Sequence, residues 1–508
     1  MIKKLALIPL DDRPCNLKFP VKIGKIAGAE IVTPPRQAIG KYLQPGNPQM
    51  LAKWLKDIAP QVDAVIVSSD MLSFGGLIAS RKPEVSLSDA AKNLEILKSV
   101  RKGNPKLKIY LFSTVLRLSI TATSKETEKY WSDIFEYSKL VDRIEHEPNP
   151  EDEKKLNELK AGIPENLLHD YLKARDRNHE INKLAVEMIA EGIVDFLILG
   201  KEDVAAYGLH RKEIRSLEER IAKNRLENKI KILCGADELA LILLSRLILE
   251  SINFRAKIYV QYSNPKAAET IALYEDRTIS QTILDHISAC GGVGAKVKDE
   301  AHLVLFVNTP LKKQTDLFLQ GKVVQDKIQI EKLKNEVSRL KQLLDSGKSV
   351  ALVDAAYANG ADPEFVSLLF KYIDLVKLAS FAAWNTAGNS IGCSLAEALA
   401  HLASPKEYRP RAKKMNLEFL LERFIDDYVY QTLIREKIKK DIEGKVSAFN
   451  LGEHYVEIEW VVKEDLAKEA HDIFEKYFKG KEKIHSMKCN ISLPWPRIFE
   501  ADVDVEFE

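Results

Sequence analysis

The sequence predicts an α/β protein, a (β/α)8-like barrel with helical insertions and a small carboxyl-terminal α+β subdomain. Short, continuous apolar runs recur along the chain, as in parallel strands that are buried on both faces. Amphipathic helical segments separate these runs, which is the pattern of repeated βα units. The 508 residues, 45% of them apolar, are enough for a large core. Doubly wound parallel sheets are the alternative fold.

The apolar runs give the positions of the expected strands. They are residues 5–14, 62–72, 108–119, 194–208, 231–240, 257–264, 302–310, 349–362 and 378–390, with a shorter run at 30–35. Because the number of βα units is eight to ten, a barrel is favoured over an open sheet.

Two insertions and one boundary complete the expected organisation. Residues 151–192 and 311–347 read as charged helices with solvated faces. The barrel pattern extends over residues 1–404, and the α+β subdomain is expected over 405–508. Within that subdomain, residues 456–462 (VEIEWVV) resemble a strand, and the last residues read as a proline-bounded turn followed by an edge strand.

Net charge and cysteine content limit the classes of partner and the compartment that we expect for this protein. The chain has 76 Lys and Arg against 74 Asp and Glu, a net charge of +2, which gives no electrostatic reason to expect nucleic acid or a membrane surface as partner. The five cysteines are far apart and odd in number, as expected for reduced thiols. We therefore expect a cytoplasmic protein with a small-molecule substrate and no cofactor. Oligomerisation through residues 311–347 is left open.

The carboxyl ends of the predicted strands are unusually polar. In parallel α/β folds these ends meet on one face, where active sites lie. For a single carboxylate, an N-cap on the next helix is an equally good interpretation. The residues at these ends are Asp11, Asp12, Arg13, Asp70, Arg117, Glu202, Asp203, Asp237, Glu238, Asp354, Asn359, Trp384 and Asn385.

The segment FLILGKEDVAAYG carries the strongest catalytic signal. Its strand ends in the adjacent carboxylates Glu202 and Asp203, and Tyr207 follows. Adjacent carboxylates can have different catalytic roles, because burial and the neighbouring like charge keep one of them protonated while the other stays ionised. Asp237 and Glu238 repeat the arrangement one strand later. Hydrolysis of glycosides needs such a pair of carboxyl groups.

The remaining strand ends supply the groups that bind a sugar. Asp11, Asp12, Arg13 and Asp70 can form charged hydrogen bonds to hydroxyls, and Arg117 can bind a carboxylate or another ring substituent. Trp384 can present an aromatic face to the ring. Further expected substrate-binding residues are Tyr207, Asp354, Asn359, Asn385 and Asn389, the last of which is also placed to cap a helix.

Several motifs together resemble a known bacterial family. They are IPLDDRPCN, SSDMLSFGGLIASR, RDRNHEIN, EDVAAYGLHR, CGADELALILLSR, AAWNTAGNSIG and LPWPRIFE. This set is similar to the family catalogued as domain of unknown function 4127, over nearly the whole chain. The family pattern has a run of aspartates where this chain has Lys201, Glu202 and Asp203, so the resemblance points first to Asp203.

A more distant similarity concerns layout alone. The order of an Arg-Pro pair, a carboxylate pair and a late Asn-rich strand resembles the barrel of substrate-assisted N-acetylhexosaminidases. Those enzymes use one carboxylate to hold the acetamido group and the other as general acid. The activity that this similarity implies is hydrolysis of an amino-sugar glycoside, although layouts are shared by unrelated functions.

Two other functions remain open at this stage. The ten histidines show no zinc-binding spacing, but clustered aspartates are suited to Mg²⁺ or Mn²⁺ in a hydrolase or lyase. A non-catalytic sugar-binding protein would need the same polar strand ends without the acid chemistry.

Overall fold

The chain forms two open parallel sheets, and not a closed barrel. The structure is a computed structural model that describes residues 2–508. The first sheet has the strand order β2-β1-β3-β4-β5-β6. Its strands are β1 (Lys4–Ile8), β2 (Glu30–Val32), β3 (Ala64–Ser68), β4 (Lys108–Val115), β5 (Phe196–Lys201) and β6 (Ile230–Cys234).

The second half of the α/β region builds a second sheet and a short strand pair. The second sheet has the order β13-β11-β9-β7-β8, and β10 pairs with β12. Their bounds are β7 (Lys257–Tyr262), β8 (Val293–Gly294), β9 (Leu303–Asn308), β10 (Thr315–Asp316), β11 (Val350–Asp354), β12 (Tyr357–Ala358) and β13 (Ser380–Ala382). All of these pairings are parallel.

The expected barrel is therefore wrong in its closure, while the α/β class and the parallel strands are confirmed. β6 ends the first sheet, and β7 pairs with β8 and β9 instead of continuing beside β6. In both sheets the first strand lies inside, the second lies at the edge, and the third returns to the other side of the first. This is doubly wound topology, which leaves a crevice at the carboxyl ends of the strands.

Helices cover both faces of each sheet, and the central strands are therefore buried on both sides. The helices packed between the two sheets are Pro14–Ala27, Leu239–Ser251, Ile279–Ala289 and Ala387–Ala403. The outer face of the first sheet is covered by Pro48–Ile58, Ser69–Phe74, Leu87–Leu94, Ile96–Gly103, Glu165–Ala190 and His210–Lys223.

The outer face of the second sheet is packed against helices that come partly from residues after 404. They are Lys327–Asp345, Pro363–Tyr372, Arg409–Arg423, the π-helix Phe424–Ile434, Arg435–Ile442 and Tyr455–Tyr477. The expected strand at 456–462 is wrong, since these residues lie in the last of these helices. The antiparallel pair β14 (Met487–Ser492) and β15 (Asp502–Phe507) follows. The 404/405 boundary stays a prediction.

The remaining helical segments are peripheral or short. They are Lys125–His146 and Pro150–Gly162, the short helices Arg36–Ile39, Leu77–Ser80, Pro265–Ala268 and Leu317–Gln320, and the 3-10 turns Ala59–Gln61, Lys298–Glu300, Leu375–Lys377, Lys406–Tyr408 and Gly452–His454. Over residues 2–508, none of the helices has both the length and the hydropathy that a membrane span requires.

Candidate functional site

A cleft of about 340 Å³ lies where the carboxyl ends of strands from both sheets converge. The loops after β1, β4, β5, β6, β12 and β13 all contribute to its wall. Eight residues expected from the sequence line it, namely Arg13, Arg117, Glu202, Asp203, Asp237, Glu238, Asn359 and Asn385. Pockets of this size with a few converging polar groups are typical of ligand sites.

The adjacent carboxylates at the end of β5 are each held by an arginine. Arg81 donates to Glu202, and Arg117 donates to Asp203. Arg81 also donates to the hydroxyl of Thr121 at 2.7 Å. The two acids are therefore held apart by two cations within the same cleft.

Asp203 has a backbone conformation that is costly for a residue with a side chain. Its φ is +36°, in the left-handed region that such residues seldom adopt. Three other residues of the cleft wall share this feature, namely Tyr274, Asn359 and Asn385. Backbone strain of this kind is concentrated at functional sites, where the surrounding structure enforces it.

The protonation of Asp203 is shifted toward the acid form. Burial raises the pKa of its carboxyl group above the ordinary value, and the neighbouring Glu202 adds to the shift, while the Arg117 guanidinium opposes it. Asp203 therefore keeps its proton to a higher pH than an exposed aspartate does. Its side chain retains 22% exposure, so it is still open to the cleft.

Arg13 joins the end of β1 to the end of β6. Its guanidinium donates to both oxygens of Asp237, at 3.0 and 2.5 Å, and to Asp11 at 2.9 and 2.7 Å. Asn16 donates to the same two carboxylates. Asp11 thus lies behind Arg13 and positions it instead of facing the cleft.

The Trp495 ring covers this group from the carboxyl-terminal part of the chain. The Arg13 guanidinium carbon lies 4.9 Å from the ring centroid, a cation–π arrangement. The indole N–H of Trp495 donates to Asp12 at 2.8 Å. Asp12 is therefore a tether for Trp495, and burial raises the pKa of its carboxyl group.

Glu238 is packed among glycines and shares a hydrogen bond with a buried histidine. A Cβ on Gly235 would overlap its carboxylate, and one on Gly392 would overlap its stem. His286 Nε2 lies 3.3 Å from Glu238 Oε1. Beside them, burial raises the pKa of Glu275 to about 7.

Lys201 and Asp276 form a buried ion pair directly beneath the β5 carboxylates. Lys201 is 1% exposed and donates to Asp276, which also contacts His210 Nε2 at 3.2 Å. Burial alone would raise the pKa of Asp276, but the hydrogen bond from His210 and the charge of Lys201 lower it. Lys201, where the family pattern predicts an acid, is therefore a support for the tip of β5.

Tyr274 and Asp316 belong to the cleft and were missed in the sequence. The Tyr274 hydroxyl donates to Asp316 Oδ2 at 2.6 Å, and Asn359 Nδ2 donates to the same oxygen at 2.9 Å. Burial raises the pKa of Tyr274, so its hydroxyl keeps its proton as a donor. Tyr274 lies in a loop and Asp316 in a two-residue strand, and neither follows a long apolar run.

One side of the cleft is an aromatic wall, which the sequence analysis did not predict. Phe318 packs edge-on against Phe449 and Phe499, with ring centroids 5.7 and 6.2 Å apart. Trp131 and Arg497 complete this side of the cleft. Arg81 was not predicted either, because it comes after the glycines of SFGGLIASR and does not directly follow a strand. The only signal for Trp495, Arg497 and Phe499 was the LPWPRIFE motif.

Three other expected site residues have structural contacts outside the cleft wall. Asp70 accepts from the backbone N–H and hydroxyl of Thr114, at 3.0 and 2.5 Å. Asp354 accepts from Asn308 and from two backbone N–H groups of its own loop. Tyr207 donates to Glu147 at 2.6 Å.

The last two expected residues belong to the start of the helix Ala387–Ala403. Trp384 is 4% exposed and packs 6.0 Å from the Phe499 ring, behind the wall. Asn389 lies in the first turn, where its N–H donates to Thr386, which is the N-cap residue. The N-cap interpretation does not apply to Asp203 or Asp237, because other residues precede the next helices.

Acidic side chains of the cleft are paired with cations and do not form a metal-binding cluster in the described part of the chain. Within residues 2–508, no three His, Cys, Asp or Glu side chains are grouped so as to hold a metal ion. The cleft carboxylates of Glu202, Asp203 and Asp237 are instead each paired with an arginine.

Comparison with known proteins identifies one family. A family model described as "Protein of unknown function (DUF4127)" matches residues 5–504, so the match covers both sheets and the segment that carries Trp495. A search of curated proteins finds no match to the chain.

Proposed function

The chain belongs to the DUF4127 family, and from the geometry of its cleft we propose that it is a glycoside hydrolase. The observation that carries the proposal is the pair Glu202 and Asp203. They are adjacent carboxylates at one strand end, held by separate arginines, and the pKa of Asp203 is raised. Two carboxyl groups with divided roles are what cleavage of a glycosidic bond requires.

In the proposed reaction Asp203 is the general acid. As the bond between the anomeric carbon and the leaving group breaks, the Asp203 carboxyl proton passes to the glycosidic oxygen. The raised pKa suits this role, because a general acid must hold its proton at the working pH. Asp203 then accepts the proton of the water molecule that attacks the anomeric carbon.

Glu202 is suited to hold a 2-acetamido group. Its Oε1 accepts from Arg81, and its buried Oε2 has no hydrogen-bond partner in the described part of the chain. An amide N–H of the substrate would satisfy that oxygen. The acetamido oxygen would attack the anomeric carbon as the leaving group departs, and the water molecule that Asp203 deprotonates would then break this new carbon–oxygen bond and restore the acetamido group. An amino-sugar glycoside is therefore the preferred substrate class.

The rest of the cleft supports a sugar ligand. Asn359, Asn385 and Tyr274 supply neutral hydrogen-bonding groups, and Phe499 and Phe318 supply apolar surface. A divalent cation would have to displace arginines from Glu202, Asp203 or Asp237, so the ion pairs favour the metal-free mechanism over the Mg²⁺ or Mn²⁺ alternative.

The test is hydrolysis of a broad panel of 4-nitrophenyl glycosides, with and without a 2-acetamido group. We expect wild type to cleave 2-acetamido hexosides, and Asp203→Asn to lose about 10²- to 10⁴-fold in kcat, the usual contribution of general acid catalysis. Asparagine tolerates the left-handed backbone at this position. The control is Asp176→Asn, at an exposed position of the helix Glu165–Ala190.

Two outcomes would overturn the proposal. One is an Asp203→Asn variant as active as wild type, and the other is a wild type that cleaves no member of the panel. If wild type binds sugars but cleaves none, the non-catalytic sugar-binding alternative replaces the hydrolase. If activity disappears with a chelator and returns with Mg²⁺ or Mn²⁺, the metal-dependent alternative replaces it.

A further inference from the structure

Two asparagines in the cleft wall share an unusual backbone conformation and contact each other. Asn359 and Asn385 have φ values of +63° and +66°. The backbone N–H of Asn359 donates to the backbone carbonyl of Asn385 at 2.8 Å. The two residues come from the loops after β12 and β13, and both side chains line the cleft.

A carboxylate orients each of the two amides. Asn359 Nδ2 lies 2.9 Å from Asp316 Oδ2, and Asn385 Nδ2 lies 3.2 Å from Asp237 Oδ2. A carboxylate can only accept, so the NH2 end of each amide must face it. The carbonyl oxygen of each amide is therefore the end that remains for a ligand.

The orienting carboxylates are themselves fixed. Asp316 Oδ1 accepts the backbone N–H groups of Phe318 and Leu319, at 2.8 and 2.9 Å, and its Oδ2 also accepts from Tyr274. Asp237 is held by both terminal nitrogens of Arg13. Neither amide can turn over without breaking these contacts.

The acceptor of Asn359 has no donor within the described protein. Asn359 is 5% exposed, and its Oδ1 is buried without a hydrogen-bond partner. A buried acceptor that lacks a donor is unfavourable, and a ligand that brings a donor removes this penalty. The site therefore selects for a donor and against a second acceptor.

We infer that Asn359 and Asn385 form an acceptor subsite that binds hydroxyl groups of the sugar ring. The inference rests on the proposed function and narrows its substrate class. The enzyme acts best on glycosides whose bound ring keeps these hydroxyls free, and it acts less well on rings that are methylated or deoxygenated there.

The experiment pairs a substrate change with a protein change. The substrates are a cleaved 4-nitrophenyl 2-acetamido hexoside and its 3-deoxy and 4-deoxy analogues. The protein change is Asn359→Gly, because glycine keeps the left-handed backbone while it removes the amide. Asn253→Gly is the matched control, since Asn253 is also left-handed, at φ +50°, but exposed and outside the cleft.

We expect wild type to lose about 5- to 100-fold in kcat/KM on at least one deoxy analogue, the effect of leaving a buried acceptor without a donor. On the full substrate, kcat/KM of Asn359→Gly should fall by a similar factor relative to wild type. On that deoxy analogue, kcat/KM of Asn359→Gly should equal that of wild type. Independent losses that multiply, or a wild type indifferent to both deoxygenations, would overturn the inference. Melting temperatures confirm that each variant is folded.

A binding version separates this inference from the hydrolase proposal. The dissociation constants of the methyl glycosides and their deoxy analogues are measured by calorimetry with the same proteins. If removal of one hydroxyl weakens binding to wild type but not to Asn359→Gly, and no glycoside is hydrolysed, the subsite is supported and the hydrolase proposal is rejected. If no methyl glycoside binds wild type, the subsite is wrong.

Discussion

The Arg13 guanidinium donates hydrogen bonds to both carboxylate oxygens of Asp237, a residue 224 positions further along the chain. This one contact joins the first strand of the first sheet to its last strand. It lies at the wall of the cleft, where Trp495 covers it. The cleft is therefore assembled by long-range ion pairs as well as by the sheet.

Replacement of Arg13 by methionine should destabilise the protein by about 3–5 kcal/mol. Arg13 is 4% exposed, and removal of one partner of a buried pair leaves charges without compensation, here on Asp11 and Asp237. Urea denaturation measures the change. The exposed pair of Lys4 and Glu30 gives the control, because Lys4→Met should cost less than about 1 kcal/mol. Equal effects would show that Arg13 is not a structural centre.

The pH profile should report the contact between Arg117 and Asp203. If Asp203 is the general acid, kcat/KM falls as the pH rises through its pKa. The Arg117 guanidinium lowers that pKa, so Arg117→Met should raise it and move the alkaline limb to higher pH. Arg101→Met, which breaks a pair with Asp195 far from the cleft, should leave the limb in place. A limb that stays fixed, or moves to lower pH, in Arg117→Met would contradict the assignment.

Trp495 should stabilise the fold as well as the cleft. It is 2% exposed, so Trp495→Ala should cost about 3–5 kcal/mol through the lost packing. Trp495→Phe keeps much of that packing and removes the donor to Asp12, and about 1–3 kcal/mol is expected. Trp460 is 63% exposed, and Trp460→Ala should change the unfolding free energy by less than about 0.5 kcal/mol. Thermal and urea unfolding give all three values.

Glu275 should make the folded state less stable as the pH rises. Its pKa is raised from 4.5 to about 7 by burial, so between these values the folded state binds more protons than the unfolded state does. The free energy of unfolding therefore falls across this window, by about 3 kcal/mol for this group. Glu275→Gln should remove that part of the slope, as measured by denaturation between pH 4.5 and 8. An unchanged slope would mean that Glu275 titrates normally.

The strands were predictable because they are buried on both faces. β3, β5, β9 and β11 each appear in the sequence as a continuous apolar run. Whether β7 pairs with β6 or starts a new sheet is decided by contacts among distant helices, and no local pattern records that choice. The closed barrel was wrong for this reason.

The segment 456–462 shows how an alternating pattern misleads. Its apolar and polar residues alternate over several positions, as in a strand, yet the buried positions of this helix are Ile458, Val462, Leu466 and Ala470. The helix also buries Ile473 and Phe474, and the spacing by four residues from Ile458 to Phe474 identifies a helix. A window of seven residues was too short to show it.

Part of the cleft wall could be located in the sequence by one rule, that polar residues follow buried strands. Arg13, Asp203 and Asp237 obey this rule. Tyr274 and Asp316 do not, because one lies in a loop and the other in a two-residue strand whose partner is 42 positions away. Only the folded chain shows that these two residues meet.

The wall that Trp495, Arg497 and Phe499 contribute has a consequence for biosynthesis. Arg13 and Glu202 leave the ribosome long before residue 499 does, so both sheets can be complete while the cleft still lacks one side. During that interval, the nascent chain has Arg13, Glu202 and Asp203 but neither Trp495 nor Arg497, so the pocket is unfinished. Because Ile498 and Val505 belong to the core that covers the second sheet, a premature stop before Trp495 removes part of that core together with one side of the cleft, and we expect a destabilised product without a complete pocket.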